Sequence, residues 1–297
     1  MNIMIILNYN DAFNTISYLS KIETFSSVDK YIVVDNHSTD NSYQKFLELP
    51  NTDKVIFLEA KVNRGYAHGN NIGIKYAVNN FSVKNIIISN PDIEVKENTI
   101  KSILEELDAD KKVSAATGVI CDTNGNIAFN FAWRLPDYVM MLQNTSIITT
   151  KVLKKMGKSR FYSTDNLKKK QVVDVLSGCF FIIKANAFKQ AGYFEEDTFL
   201  YNEENILFYK LKHLGYKQIV LCEHYITHFQ GSSTNKTIKN FFLKQKIVRD
   251  SEQVYLNKYL EISLIQRIVY HFCSFLGMIE KYIIYRIKLF RRGVSKI

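Results

Sequence analysis

The sequence contains few of the residues that mark disordered, repetitive or disulfide-linked chains. Only 3 of its 297 residues are proline and 12 are glycine, which excludes a low-complexity or collagen-like chain. Its 4 cysteines form no C-x-x-C pair, so the pattern predicts neither a zinc knuckle nor a disulfide framework. The N-terminus has no basic segment or small-residue cleavage site, so we expect the apolar run 3–7 to be a core strand and not a signal peptide.

The positive charge is unevenly distributed. A net charge of +10 predicts attraction to anions, which include nucleic acid, acidic lipid and phosphorylated substrates. No RNA-binding signature accompanies the basic residues, and a role with nucleic acid is therefore not expected. Many of them lie late in the chain and predict a basic C-terminal surface: Lys236, Lys239, Lys244, Lys246, Arg249, Lys281, Arg286, Lys288, Arg291, Arg292 and Lys296.

The first half of the chain alternates short β-branched runs with amphipathic stretches. This pattern is typical of βαβ units and predicts an α/β fold with a mostly parallel central sheet flanked by helices. Strands are predicted at 3–7, 31–34, 55–58, 86–89 and 113–119, and helices at 12–20, 42–49, 69–79 and 98–107.

The second half has a less regular pattern. Asn-Gly at the centre of 122–126 predicts a hairpin turn, and 130–171 reads as a variable loop region. A strand over 172–183, broken at Ser177-Gly178, is expected to precede further short elements: a helix at 185–190, a helix at 203–214 and a strand at 218–221.

The C-terminal segment 255–290 is densely apolar but contains interspersed charges. We therefore predict a catalytic unit at 1–240 and a basic amphipathic helical tail at 241–297. The charges interrupt the apolar run that a transmembrane helix needs, so we expect the tail to lie in the interface of an anionic membrane. A contact in a homodimer or a core helix is the alternative.

Polar clusters follow three of the predicted strands. Ligands of open α/β sheets bind at the carboxyl ends of the strands, so these clusters are expected to outline one cleft. Asp35 could accept a hydrogen bond from a base or ribose there, or the following residues could serve only as a helix cap. Asp92 after 86–89 could bind Mg²⁺ or Mn²⁺ together with substrate phosphates, or belong to a simple turn.

Further candidates lie in three segments. The glycines of 63–73 permit close approach of a phosphate to a helix start, although helix packing explains them equally well. Glu203 and Glu204 open a predicted helix, where they could complement its dipole or provide a general base. His228 follows a late strand and is either a metal ligand or a structural histidine.

Together these segments resemble the family 2 glycosyltransferases with the GT-A fold, and in particular their rhamnosyltransferase-like subgroup of bacterial surface-polysaccharide enzymes. The resemblance spans about residues 2–235. The chain departs from the family pattern at one place: the family usually has Glu-Asp followed by a further Asp two positions on, whereas this chain has Glu203-Glu204-Asn205-Ile206. The segments that carry the resemblance stand in the family's order: 6–10, 33–42, 63–71, 90–92, 176–184, 192–196, 201–204 and His228.

The resemblance implies a role for each group of candidate residues. Glu204, or else Glu203, would be the catalytic base, and Asp92 with His228 would bind a divalent Mn²⁺ or Mg²⁺. Ser177, Gly178 and Trp133 would border the donor or acceptor. Nucleotide contacts would come from Asn8, Tyr9, Asp35, Asn36, Arg64 and Asn90.

The resemblance also implies a function and a location. The chain would transfer a sugar, with inversion, from a nucleoside-diphosphate sugar to a hydroxyl of a glycan or polyprenyl-diphosphate-linked acceptor. Such a reaction belongs to capsule, O-antigen or cell-wall synthesis, at the cytoplasmic face of the cell membrane. The alternative is a non-catalytic glycan-binding protein at the membrane surface on a degenerate transferase fold.

Overall fold

The computed structural model describes residues 1–50, 52–165, 167–229 and 240–294, and its centre is a nine-stranded mixed sheet. Eight strands follow the order β3-β2-β1-β4-β10-β6-β11-β5, and β8 pairs with β11 beside this path. A second sheet of two strands is formed by β7 and β9. The strands are β1 (Asn2–Asn8), β2 (Lys30–Asp35), β3 (Val55–Glu59), β4 (Asn85–Ser89), β5 (Ile93–Glu94), β6 (Val113–Cys121), β7 (Ala132–Trp133), β8 (Lys170–Val173), β9 (Val175–Leu176), β10 (Phe180–Lys184) and β11 (Lys217–His228).

Helices flank the sheet and follow the strands along the chain. The first three connect the parallel strands β1 to β4, and α3 packs against β1 and β2. Their ranges, with those of the later helices, are α1 (Ala12–Ile22), α2 (Ser42–Leu47), α3 (Tyr66–Asn80), α4 (Glu97–Ala109), α5 (Tyr138–Gln143), α6 (Ile147–Lys155), α7 (Ala185–Gln190), α8 (Glu203–His213), α9 (Phe241–Val254) and α10 (Leu264–Val294).

The predicted α/β class, with a central sheet, flanking helices and a C-terminal helix, is confirmed. Strands β1 to β4 are parallel neighbours, as predicted, and every residue of β4 and β6 is buried. The later part of the sheet differs, because β10 lies antiparallel between β4 and β6. The strand order reverses at β1, because β2 and β3 are added on one side of it and β4 lies on the other, which leaves a crevice at the carboxyl ends of β1, β2 and β4.

The region 130–171 is more ordered than the sequence predicts. It contains β7 and two short helices with side-chain caps: Asp137 accepts from the Met140 N–H, and Ser146 accepts from the Thr149 N–H. These caps satisfy donors that a helix start leaves unpaired. Helix α6 buries none of its residues, so its apolar side chains do not mark a helix packed in the core.

Strand β11 continues well beyond the predicted 218–221. Its pairing with β6 shifts register between Leu221 and Tyr225 and then resumes to residue 227. The far end pairs antiparallel with β5, where His228 lies opposite Ile93. The Phe229 N–H donates to the Asp92 carbonyl at 2.9 Å, so the end of this strand lies against the turn after β4.

The C-terminal helices share a small core with the rest of the chain. A π-helical segment, Tyr255–Tyr259, follows α9, and α10 extends over 31 residues. Tyr255 and Tyr270 are almost fully buried with Met141 of α5 and Ile206 of α8. Among the helices of the described ranges, none has both the length and the apolar content required to cross a bilayer. Lys236, Lys239 and Lys296 of the predicted basic surface lie outside the described residues.

Candidate active site

A cavity of about 380 Å³ lies at the crevice, and eight of the thirteen predicted site residues line it. It is bounded by the ends of β1, β2 and β4 and by the start of α8. The eight predicted residues are Tyr9, Asn36, Asn90, Ser177, Gly178, Glu203, Glu204 and His228. Sequence reasoning missed several others, among them Asp11, Asn63, Tyr66, Asn130, Phe199 and Tyr201.

Asn8 and Asp35 are buried at the strand ends and do not line the cavity. The Asn8 amide donates to the Asp35 carboxylate at 2.7 Å, and the Ser38 N–H and hydroxyl donate to the same carboxylate at 2.9 and 2.6 Å. The Asn8 oxygen accepts from Thr15. These bonds fix the turn after β2, so the structure gives both residues a supporting position beneath Asn36. Their direct contact with a nucleotide stays a prediction.

One wall of the cavity is a junction between the glycine segment and the loop before α8. Gly65 has a φ of +98°, and a Cβ there would overlap the carbonyl oxygen of Phe199. The Tyr66 N–H donates to that oxygen at 2.9 Å, and the Asn36 amide donates to the Gly65 carbonyl at 3.2 Å. The glycine therefore allows two backbone segments to touch. Arg64 is exposed beside this wall and outside the cavity lining.

Trp133 lies in the core and not at the cavity, contrary to the prediction that it borders a sugar. Trp133 belongs to β7, which pairs with β9, and only 8% of its surface is exposed. Its indole N–H donates to the Asn205 side chain at 2.8 Å, and its ring packs edge-on against Phe161. The tryptophan thus supports α8 from behind, because Asn205 follows the acidic pair.

The acidic pair at the start of α8 faces the cavity. Tyr201 and Asn202 precede it with φ values of +73° and +67°, an uncommon conformation for residues with side chains. Glu203 is 2% exposed, and burial followed by the charge of Glu204 raises its pKa well above the usual range. Its Oε1 atom is buried and has no hydrogen-bond partner among the described residues. Glu203 therefore retains its proton to higher pH than an ordinary glutamate.

Glu204 occupies a more polar environment than its neighbour. Burial raises the pKa of Glu204, but its own N–H, the Gly178 N–H and the nearby positive charge of Arg160 all lower it. The Gly178 carbonyl accepts from the Tyr66 hydroxyl at 2.8 Å, which holds this segment in place. Arg160, which sequence reasoning missed in the variable region, is itself partly buried, and burial lowers the pKa of its guanidinium. Glu204 is the carboxylate of the pair whose charged form is better stabilised.

His228 lines another part of the cavity, and Asp92 lies beside it, outside the lining. The Nε2 atom of His228 lies 3.3 Å from an Oδ1 atom of Asp92. Burial lowers the pKa of His228, but hydrogen bonds to Asp92 and Cys179 outweigh it and raise the pKa to about 10. The contact with Asp92 therefore favours the charged form of the ring. The extension of β11 brings these two residues together, since His228 is its last residue.

The donor chemistry of this pair fits a divalent cation that is also held by a substrate. A carboxylate oxygen and an imidazole nitrogen both bind Mn²⁺, whereas Mg²⁺ prefers oxygen ligands alone. The described residues contain no cluster of three or more histidine, cysteine or acidic side chains arranged for a metal. A cation here would therefore take its remaining ligands from phosphate oxygens and water.

Comparison with known proteins gives a family match and one curated relative. A sequence model described as Glycosyl transferase family 2 matches residues 5–192. The chain is 28% identical over 225 residues to the low-salt glycan biosynthesis hexosyltransferase Agl10 of Haloferax volcanii. That alignment covers 74% of this chain and 66% of the relative, so the chain spans just under two thirds of the length of the archaeal protein.

Solved structures with the same fold include three glycosyltransferases at 15–16% identity. GalNAc-T7 with UDP, GalNAc and Mn²⁺ gives a TM-score of 0.58 and covers 87% of this chain and 49% of its own. The mannosyltransferase PcManGT of Pyrobaculum calidifontis with GDP-Man and Mn²⁺ gives 0.53, with 96% and 82% covered. TarS 1-349 of S. aureus with UDP-GlcNAc gives 0.54, with 86% and 66% covered. These likenesses support the predicted GT-A fold.

Proposed function

This chain belongs to glycosyl transferase family 2, and from that premise we propose that it transfers a hexose from a nucleoside-diphosphate sugar to a hydroxyl of a glycan acceptor. The observation that carries the proposal is the single cavity that contains both the acidic pair and His228, the partner of Asp92. The non-catalytic alternative gains no support, because Glu203 and Glu204 both line this cavity.

The donor would extend across the strand ends. We assign the nucleoside to the side formed by Tyr9 and Asn36, with Asn8 and Asp35 as support, and the diphosphate to the side of Asn90, Asp92 and His228. The solved relatives bind UDP, GDP-Man and UDP-GlcNAc, which supports a nucleotide-sugar donor for this chain. Arg64 is exposed beside the cavity wall, and its side chain would contact the part of the nucleotide that extends out of the cavity. Ser177 and Gly178 would border the donor sugar, because they lie next to Glu204.

Glu204 is the proposed catalytic base. As the acceptor oxygen forms its bond to the anomeric carbon, its proton passes to the Glu204 carboxylate, and the bond from that carbon to the diphosphate oxygen breaks. A single displacement of this kind inverts the configuration. Glu203, which holds its proton longer, would donate a hydrogen bond to a substrate hydroxyl through the carboxyl group that lacks a partner at Oε1.

Asp92 and His228 would hold the divalent cation, with Mn²⁺ favoured because it accepts both ligand types. When bound, the cation would offset the negative charge that grows on the departing diphosphate. The Mn²⁺ in two of the solved relatives supports this assignment. The Asp92 backbone, bonded to the Phe229 N–H, fixes the position of the carboxylate relative to the end of β11.

The proposed acceptor is a polyprenyl-diphosphate-linked or other membrane glycan of a bacterial capsule, O-antigen or cell wall, and the donor sugar is a rhamnose-like hexose. The motifs 33–42 and 90–92 support the rhamnosyltransferase-like subgroup. The curated relative acts in glycan biosynthesis, which supports a glycan acceptor. Such an acceptor requires a location at the inner face of the cell membrane, with 1–240 as catalytic unit and 241–297 as tail.

The assay that tests the proposed function is release of nucleoside diphosphate from a panel of UDP, dTDP and GDP sugars. We expect release from one or a few donors, only with Mn²⁺ or Mg²⁺, and faster release when an acceptor glycan is added. The Glu204→Gln variant is the negative control for each donor. No release from any donor in the presence of metal, with or without acceptor lipids extracted from membranes, would contradict a transferase.

Gly178→Ala is expected to lower the transfer rate by roughly tenfold to a hundredfold, because a misplacement of about 1 Å can cost that much. A Cβ at this position would overlap Oε1 of Glu204 and push the carboxylate aside. The side chain of Glu204 is flexible at its end, so the free energy of unfolding should change little. Transfer kinetics and thermal unfolding of the variant measure the two effects.

The matched control is Gly192→Ala. Gly192 has a φ of +69° and open space around its Cβ position, so alanine there is strained but displaces no other side chain. It should lower the unfolding temperature slightly and leave the transfer rate unchanged. If Gly178→Ala retains full activity, the position of the Glu204 carboxylate beside Gly178 is not required for transfer.

A further inference from the structure

The outer side of α10 carries a continuous row of exposed apolar side chains. They recur every three or four residues, so they lie on one side of the helix. At 1.5 Å per residue, the 31 residues of the helix extend about 46 Å. We call this row the apolar face: Leu264, Ile265, Ile268, Phe272, Phe275, Leu276, Ile279, Ile283, Ile287 and Phe290, each 41–75% exposed.

The opposite side of α10 is already covered by the protein. Tyr270 is 1% exposed and its hydroxyl donates to Glu252 at 2.6 Å. Gly277 lies against the backbone of Thr145, where a Cβ would overlap the carbonyl oxygen. The Tyr138 hydroxyl donates to the Gln266 carbonyl at 2.8 Å. These contacts fix the rotation of the helix and turn the apolar face outward.

Helix α6 adds a second exposed apolar row next to α10. The Ile148 N–H donates to the Glu280 carboxylate at 2.8 Å, which places the start of α6 against the middle of α10. Ile148 and Val152 of α6, with Met156 directly after its end, recur every four residues and are 50–61% exposed. Their helix also carries Lys151, Lys154 and Lys155 and no acidic residue.

The charges of both helices are almost all positive. In sequence, α10 contains six basic residues and one acidic residue, Glu280, whose carboxylate is engaged by α6. Arg286 lies within the exposed side near its end, where a long side chain can reach outward from an apolar surface. A second copy of the chain on this face would bring two strongly positive helices together, whereas acidic lipid headgroups would neutralise them.

We propose that the apolar face of α10, with the neighbouring apolar row of α6, docks the protein onto an anionic lipid bilayer. The helix lies in the plane of the interface, and its apolar side chains enter the region between headgroups and acyl chains. Its exposed Arg286 and Lys288, with the lysines of α6, contact acidic headgroups. This deepens the location named in the proposed function, and its test does not depend on sugar transfer.

The test is sedimentation of the full chain with vesicles of phosphatidylcholine alone or with phosphatidylglycerol added. We expect strong binding only to the anionic vesicles, weakened by added salt. The double variant Ile268→Asp/Phe272→Asp should lower the partition coefficient by about a hundredfold or more, because it removes two large apolar groups and adds two negative charges. Both side chains are at least 60% exposed, so thermal unfolding should be unchanged.

The matched control is Phe13→Asp/Leu47→Asp, which makes the same charge change at two exposed apolar positions on α1 and α2. It should bind anionic vesicles nearly as well as the unaltered chain. Equal loss in both double variants would overturn the proposal. A second outcome would also overturn it: the unaltered chain does not bind vesicles but forms a dimer in light scattering, and the α10 double variant is monomeric. Glu204→Gln should lose donor turnover and keep vesicle binding, which separates the two proposals.

Discussion

Replacing Glu204 with glutamine is expected to lower the transfer rate by about 10²- to 10⁴-fold, the range that a general base contributes. The amide preserves the shape of the side chain and its contact with the Gly178 segment, but it cannot take the proton of the acceptor hydroxyl. Binding of the nucleotide sugar should change little, because Asn36, Asn90 and His228 line other parts of the cavity and Asp92 lies beside His228. Single-turnover transfer and equilibrium binding of the donor measure the two effects separately.

Glu203→Gln is the comparison that separates the two carboxylates. Burial keeps Glu203 protonated to higher pH than an ordinary glutamate, so an amide imitates its neutral form and its hydrogen-bond donor. The expected loss is less than about tenfold, in contrast to Glu204→Gln. If Glu203→Gln shows the larger loss, Glu203 is the base and the assignment must be reversed.

The pH dependence of transfer offers a second readout of the same base. Glu204 must be ionised to accept a proton, and burial raises its pKa. The rate of the unaltered chain should therefore fall as the pH decreases through a range above that of an ordinary glutamate. This fall in rate at low pH should be absent from the residual activity of Glu204→Gln. If it persists unchanged in the variant, the group that titrates is not Glu204.

Most of the sheet could be predicted because it rests on local patterns. Runs such as 86–89 are continuous and β-branched, as buried strands require, and the predicted strands and helices of the first half all occur. Polar residues directly after such strands had to meet at one edge, and the cavity lies there. The antiparallel position of β10 could not be predicted, because strand direction in a sheet depends on distant partners.

Residues whose position depends on tertiary contacts were harder to predict. Trp133 is a conspicuous residue in an irregular segment, but its indole N–H has a buried partner in Asn205, seventy-two positions away. Arg160 has no neighbouring motif and comes near Glu204 only through the fold. The Gly65–Phe199 contact likewise joins the glycine segment to the loop before α8, and nothing in the sequence connects the two. The chemistry of such residues becomes visible only when the partner segment is known.

The Asp92–His228 pair depends both on local sequence patterns and on tertiary contacts. Each residue was a candidate from sequence, but their proximity depends on the register shift in β11 and on the extension of that strand to residue 228. The segment after Leu221 mixes polar and apolar residues and gives no strong strand signal. The structure therefore brings the two candidate ligands together at the point where sequence alone was weakest.

Asp92→Asn is expected to lower transfer by about 10²- to 10³-fold, because a metal ion contributes several kcal/mol of charge stabilisation and about 1.4 kcal/mol corresponds to tenfold. The amide keeps the shape of the side chain but removes the negative charge beside His228. Stabilisation of the folded protein by Mn²⁺ with a nucleoside diphosphate should also disappear. Thermal unfolding with Mn²⁺ alone, the nucleotide alone and both together measures this without any acceptor.

Asp53→Asn is the matched control, since Asp53 is exposed before β3, at the end of the sheet away from the cavity. It should retain both transfer and the Mn²⁺-dependent stabilisation. His228→Gln should weaken metal binding less than Asp92→Asn does, because the carboxylate supplies the charge and the imidazole supplies a neutral donor. Full activity of the unaltered chain in excess EDTA, or unchanged Mn²⁺ dependence in Asp92→Asn, would show that the cation is not held by this pair.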